Sequence, residues 1–84
     1  MPTAFVLVNS ELSSDVEIIA KIKEILSTEK DIQYEIQGVY GVYDLILKVS
    51  SIDGPELRKI ITTQIRKIDK VQSTLTMMVI EEQE

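Results

Sequence analysis

The spacing of apolar residues switches along the chain between a strand period and a helix period, and this alternation constrains the fold more than any other feature. Residues 3–9, "TAFVLVN", are rich in β-branched and aromatic residues, which is typical of a strand. In residues 13–27, "SSDVEIIAKIKEILS", the isoleucines and the leucine fall on one face of a helix. The remaining segments read as two strands, a second helix and a last strand; they are "DIQYEIQGVY", "YDLILKVS", "DGPELRKIITTQIRKI" and "VQSTLTMMVI".

This order, β-α-β-β-α-β, predicts an α+β fold of the ferredoxin-like kind. In that fold a four-stranded antiparallel sheet carries both helices on one face. Asp53 is a suitable cap for the second helix, and Pro55 fits its first turn. A chain of 84 residues is long enough for one core, so we expect residues 1–84 to form a single domain.

The predicted strands also raise the question of what covers the other face of the sheet. Two helices cover only one face, yet the first, third and fourth strands carry apolar residues on both. An uncovered apolar sheet face usually marks an association surface. We therefore expect a homodimer made by sheet-on-sheet contact, a dimeric α/β barrel-type assembly.

Composition excludes several function classes. The sequence contains no cysteine and no histidine, which removes thiolate nucleophiles, the commonest general base and the commonest metal ligand, so we expect no enzyme, cofactor or metal site. A net charge of -5 argues against a protein that mainly holds nucleic acid. The longest apolar runs are far shorter than the roughly 18 to 20 residues that cross a bilayer, and no export signal is visible, so we expect a cytoplasmic protein without membrane contact.

The stretch "GVYGVYDLIL", residues 38–47, lies where the second and third strands must reverse direction. Gly41 suits the positive φ that such a turn needs, and Gly38 suits a bulge or a close approach of another backbone. From the residues alone, two interpretations stay open. In one, the tyrosines pack against the hairpin and Asp44 accepts hydrogen bonds from its backbone amides. In the other, these residues form part of a binding site.

A wider resemblance favours the binding site. "GVYDLILKV" and "DGPELRKIITTQIRKIDKVQSTLTMMVI", together with "TAFVLVN", resemble the ligand-binding (RAM) domain of the Lrp/AsnC family of transcription regulators. The resemblance includes a Gly-x-(Tyr/Phe)-Asp turn at residues 41–44 and a Thr-x-Thr pair at residues 74–76. Family members normally also carry an N-terminal helix-turn-helix, which this sequence does not contain, so the resemblance implies a stand-alone regulatory module with no direct nucleic-acid binding.

The resemblance further implies a sensor of a small effector, a free amino acid, bound where dimers meet in a larger ring such as an octamer. Full-length Lrp/AsnC regulators are the implied protein partners, through which transcription is modulated. In such a site Asp44 accepts from the ammonium, while loop amides or the two threonines donate to the carboxylate. The implied ligand-binding residues are Tyr40, Gly41, Val42, Tyr43, Asp44, Gly54, Thr74, Thr76, Met77 and Met78.

Three alternatives remain at this point. One is a small ferredoxin-like dimeric enzyme that uses Asp44 as a lone base. Another is an RNA-binding module, although the third strand lacks the aromatic, basic motif of such domains. The third is an oligomerisation module without a ligand.

Overall fold

The computed structural model describes residues 2–11 and 14–80, and it confirms the predicted order of elements. A short π-helical turn, Ile61–Ile65, continues the second helix without a break. The strands and α-helices are β1 Thr3–Ser10, α1 Asp15–Ser27, β2 Ile32–Gly38, β3 Leu45–Ser51, α2 Gly54–Ile60 and β4 Val71–Met78.

The sheet is antiparallel throughout and has the strand order β2-β3-β1-β4. β1 is therefore central, with Val6 opposite Leu47 on β3 and opposite Thr76 on β4. Directly opposed residues of an antiparallel pair lie on the same face. This register assigns each strand residue to the helix-covered face or to the open face.

The core lies between one face of β1 and β3 and the apolar stripes of the helices. Every second residue of β1 from Ala4 to Val8 is fully buried, and so are the alternate residues of β3. The helix stripes predicted from the sequence are the sides that are buried here. The core residues are Ala4, Val6, Val8, Ile18, Ile22, Leu26, Leu45, Leu47, Val49, Leu57, Ile60, Ile61, Ile65 and Ile68.

The second helix departs from the regular α-helix that its spacing predicts. Its backbone widens over Ile61–Ile65, where the Arg66 amide donates to the Ile61 carbonyl at 3.3 Å. Threonine hydroxyls that bond to the preceding turn compete with the helical ladder, and the Thr63 hydroxyl donates to the Lys59 carbonyl at 2.6 Å. The predicted apolar stripe is still the buried side of the helix, because Ile61 and Ile65 at the two ends of the π-helical turn are both buried.

The face of the sheet away from the helices, the open face, is apolar over β1 and β4. Phe5 pairs with Met77 and Leu7 pairs with Leu75, and neither β4 side chain is covered, with 46% and 44% of their surfaces exposed. On β3, Ile46 pairs with Leu7 and extends this apolar surface, whereas Lys48 and the β2 residues Glu35 and Gln37 make the rest of the face polar. The expected second apolar face is therefore present in the chain.

Candidate functional site

The loop between β2 and β3, residues 39–44, brings Asp44 to the end of β1. The Val39 amide donates to the Asp44 carbonyl at 2.9 Å, which closes the loop. The Asp44 amide donates to the Val8 carbonyl at 3.0 Å, which ties the loop to β1. Gly41 has φ of +149°, a conformation that L side chains rarely adopt, so glycine is needed at this turn.

The Asp44 carboxylate is fixed by Ser10, the last residue of β1. Its Oδ2 accepts from the Ser10 amide at 2.9 Å and from the Ser10 hydroxyl at 3.3 Å. Among described residues both of its hydrogen bonds fall on Oδ2. The Oδ1 atom is thus available to a donor supplied by a ligand.

Asp44 lines a groove of about 550 Å³ at this end of the sheet, which we call the acidic groove. Three of its lining side chains are carboxylates, and none of the described lining residues is basic. Such a groove attracts cationic groups. The acidic groove is lined by Ser10, Glu11, Asp15, Gly38, Val39, Tyr40, Asp44 and Gln72.

A second groove of about 600 Å³ lies at the opposite end of β1, and we call it the basic groove. The only charged side chains among its described lining residues are Arg58 and Lys59. Gly54 starts α2 here, and a Cβ at that position would lie 3.3 Å from Pro2 Cγ, so glycine permits this close packing. The basic groove is lined by Pro2, Gly54, Pro55, Arg58, Lys59, Thr62 and Met78.

The predicted site residues do not gather in one place within a single chain. Tyr40 and Asp44 line the acidic groove, and residues 41–43 belong to the same loop. Gly54 and Met78 line the basic groove instead. The two grooves are separated by the length of β1, roughly 23 Å for a strand of this size.

The remaining predicted residues lie on β4 between the two grooves. Thr74 and Thr76 pair with Val8 and Val6, so they are on the helix-covered side of the sheet. Met77 pairs with Phe5 on the open face. Their role in ligand binding stays a prediction.

Sequence reasoning missed the lining residues contributed by other elements. Ser10 and Gln72 reach the acidic groove because β1 and β4 pair beside the loop, a contact between residues far apart in the sequence. Glu11 comes from the connection between β1 and α1, and Asp15 is the first residue of α1. Only the register of the sheet could have revealed them, since no local pattern marks these positions.

The described residues, 2–11 and 14–80, contain no group of three or more side chains arranged to hold a metal ion. Within the same residues no helix has the length and apolarity needed to span a bilayer.

Comparison with known proteins identifies the family. Residues 3–83 match the model of the Lrp/AsnC ligand binding domain. The chain belongs to the Lrp/AsnC family. Its β-α-β-β-α-β fold agrees with the solved structures of that family that it matches.

A curated relative is an uncharacterized HTH-type transcriptional regulator of Pyrococcus furiosus, 34% identical over 82 residues. The match covers 90% of this Lrp/AsnC chain and 49% of the relative, so the chain spans about half the length of that protein.

Three solved structures illustrate the likeness. The crystal structure of FFRP-DM1 is 35% identical, with a TM-score of 0.76 over 95% of this chain and 100% of that one. A hypothetical protein from Pyrococcus horikoshii is 36% identical, with a TM-score of 0.73 over 98% and 93% of the two chains. A Neisseria meningitidis transcriptional regulator, solved as an L-Met complex, is 14% identical with a TM-score of 0.71 over 99% and 52%, and it shows the fold alone.

Proposed function

We propose that this chain is a sensing module that binds a free amino acid at the acidic groove and modulates transcription through partner proteins. The observation that carries the proposal is the Asp44 carboxylate, held by Ser10 at the mouth of a groove without a described basic side chain. Membership of the Lrp/AsnC ligand-binding family supports it. The L-Met complex of a protein with the same fold supports an amino acid as the effector.

The chemistry of the loop suits an amino acid. An ammonium group donates to carboxylate oxygens, and Asp44 offers Oδ1 for this contact. The amides of residues 40–43 make no hydrogen bond to a described residue, so they are free to donate to a ligand. The exposed Tyr40 ring then forms one wall against the side chain of the effector.

The proposal includes an assembly. A second copy covers the open face of the sheet, because Leu75 and Met77 leave an apolar surface there that water disfavours. Such dimers then form a larger ring, an octamer, and full-length Lrp/AsnC regulators are the partners. The module itself contacts no nucleic acid, in keeping with its net charge of -5.

A thermal-shift screen with the twenty amino acids tests the proposal. At ten times its dissociation constant a ligand adds about 1.4 kcal/mol to the stability of the native state. For a domain of this size that corresponds to a rise in Tm of roughly 6 to 11 °C. We expect a selective rise, and we expect Asp44→Asn to abolish it, because asparagine keeps an acceptor for Ser10 but removes the negative charge.

The matched control is Asp31→Asn, which removes one charge from an exposed turn and should leave the shift unchanged. A shift that persists in Asp44→Asn contradicts the proposed site. If no amino acid shifts the wild type, the chain is an oligomerisation module without an effector. We assign no catalytic step, since a sequence without histidine or cysteine leaves Asp44 as a lone base.

A further inference from the structure

The chain leaves β4 at the rim of the basic groove. Met78, the last residue of β4, lines this groove, and the next amide, that of Val79, donates to a carbonyl at the start of β1 at 2.8 Å. That hydrogen bond fixes the direction of the chain as it passes the groove. Ile80 follows and is almost fully exposed, so the residues after it start beside the basic groove.

The residues that follow carry negative charge. Residues 81–84 read Glu-Glu-Gln-Glu and lie outside the described residues; we call them the acidic segment. Three of the four side chains are carboxylates, and none is basic. A run of like charges gains most from a nearby surface of opposite charge.

Arg58 and Lys59 supply that opposite charge. In the part of the chain that the structure describes, neither side chain forms an ion pair with a carboxylate. None of the described lining residues of the basic groove is a carboxylate either, so these residues attract an anion and do not repel it. Pro2, Pro55 and Met78 add apolar surface to the lining. The basic groove therefore suits a short acidic peptide.

The geometry of α2 directs both cations toward the acidic segment. α2 begins at Gly54, where a Cβ would lie 3.3 Å from Pro2 Cγ, so its first turn is at the end of the sheet that the chain leaves after β4. Helical side chains tilt toward the N-terminus of their helix. Arg58 and Lys59 start about 6 to 8 Å along α2, and the acidic segment extends up to about 14 Å, so it reaches them.

We propose that the basic groove binds the acidic segment of the same chain, with its carboxylates on Arg58 and Lys59. The contact makes the basic groove a surface for acidic peptides that the chain itself occupies. An attached segment acts at an effective concentration of the order of millimolar, so another acidic partner binds only by displacing it. The contact uses no residue of the acidic groove, so it forms whether or not an effector binds there.

A nitroxide label on the acidic segment detects the contact. The chain contains no cysteine, so Gln83→Cys gives a single labelling site and keeps all three carboxylates of the segment. We expect the label to broaden the backbone amide signals of Gly54 and Thr62 in an isotope-labelled protein, and to broaden them less at high salt. Because residue 83 follows Ile80 by three positions, it stays near this end of the sheet even when unbound. The decisive quantity is therefore the change in broadening when charges are altered.

Charge reversal in the groove supplies that change. Arg58→Glu with Lys59→Glu should lower the broadening at least about twofold, because two exposed ion pairs are lost and repulsion replaces them. The matched control, Lys23→Glu with Lys67→Glu, changes the net charge equally at exposed positions outside the groove. We expect this control to keep the wild-type broadening. Broadening that survives reversal of the groove overturns the contact.

A charge swap separates the contact from loss of structure. Glu81→Lys with Glu82→Lys and Glu84→Lys should lower the broadening as reversal of the groove does. Combined in one chain with Arg58→Glu and Lys59→Glu, these changes should restore it, because the facing charges are again unlike. A misfolded groove would not show this rescue, and a combined variant that stays unbroadened overturns the proposal.

A mixture of two samples shows which copy supplies the acidic segment. Nitroxide-labelled chains without the isotope are mixed with isotope-labelled chains that carry no nitroxide. Broadening at Gly54 and Thr62 in this mixture comes only from a second copy, and we expect none. Broadening there would give the groove to the acidic segment of a neighbouring copy and would overturn the contact within one chain.

Discussion

The two faces of the sheet are built from alternate residues of the same strands, yet the helices of the chain cover only one of them. On the helix-covered face, Ala4, Val6 and Val8 of β1 are fully buried. On the open face, Phe5 and Leu7 are half-buried and their β4 neighbour Leu75 is 44% exposed. The two helices cover one face of the four-stranded sheet. The apolar residues of the other face therefore stabilise the protein only when another surface covers them.

The largest expected effect comes from truncating matched leucines on the two faces. Leu47→Ala, on the covered face, should lower the free energy of unfolding by about 2 to 5 kcal/mol, because a fully buried leucine leaves a cavity. Leu75→Ala, on the open face, should cost about 1 kcal/mol or less in dilute protein. Urea unfolding measures both values. Equal costs would show that the open face is already covered.

A charge on the open face should act on association instead of folding. Leu75→Glu would bury an unpaired carboxylate if a second copy covers this face, and we expect the dimer dissociation constant to rise by more than about tenfold. Sedimentation equilibrium measures it. Gln64→Glu adds the same charge to the exposed surface of the π-helical turn and serves as the control. Unchanged dimer affinity in Leu75→Glu would remove the open face from the dimer.

The smallest expected effect concerns how α1 is held over the covered face. The Lys70 ammonium lies 2.8 Å from a Glu17 carboxylate oxygen, and this hydrogen bond with its charge attraction raises the pKa of Lys70 above its usual value. The folded chain thus holds this proton more tightly than the unfolded chain. The pair stabilises the fold below about pH 10.5, and that contribution is lost as the pH rises through the folded pKa.

Comparing wild type with Glu17→Gln checks this linkage. The wild type should be slightly more stable at about pH 9, and the difference should shrink as the pH rises above about 10.5 and Lys70 loses its proton. Thermal unfolding at a series of pH values measures this difference. A difference that does not change with pH would mean that the pair contributes nothing through charge.

Several parts of the fold and site follow from local sequence. The spacing of isoleucines predicts which side of each helix is buried, and the structure buries those sides. Asp53 caps α2 as its position predicts, since its Oδ1 accepts from the Glu56 amide at 3.1 Å. The turn at Gly41 has the positive φ that its place between two strands requires. Each of these features depends on residues within about one helical turn or one hairpin.

Other parts could not be predicted from local sequence. The π-helical turn depends on how threonine hydroxyls compete for helix carbonyls, which the apolar spacing does not report. The partners of Asp44 at the acidic groove depend on strand register, because Ser10 lies 34 positions earlier in the chain. The resemblance implies one site that includes Asp44 and Gly54; these residues lie at opposite grooves of a single chain, and their common site stays a prediction.

The sequence by itself determined the order of elements, the apolar face of each helix and the family, because periodicity and turn chemistry are properties of neighbouring residues. Only the tertiary structure decided that one end of the sheet is acidic and the other basic. Strand order and register bring residues together that are distant along the chain, and their charges combine only when the sheet has formed.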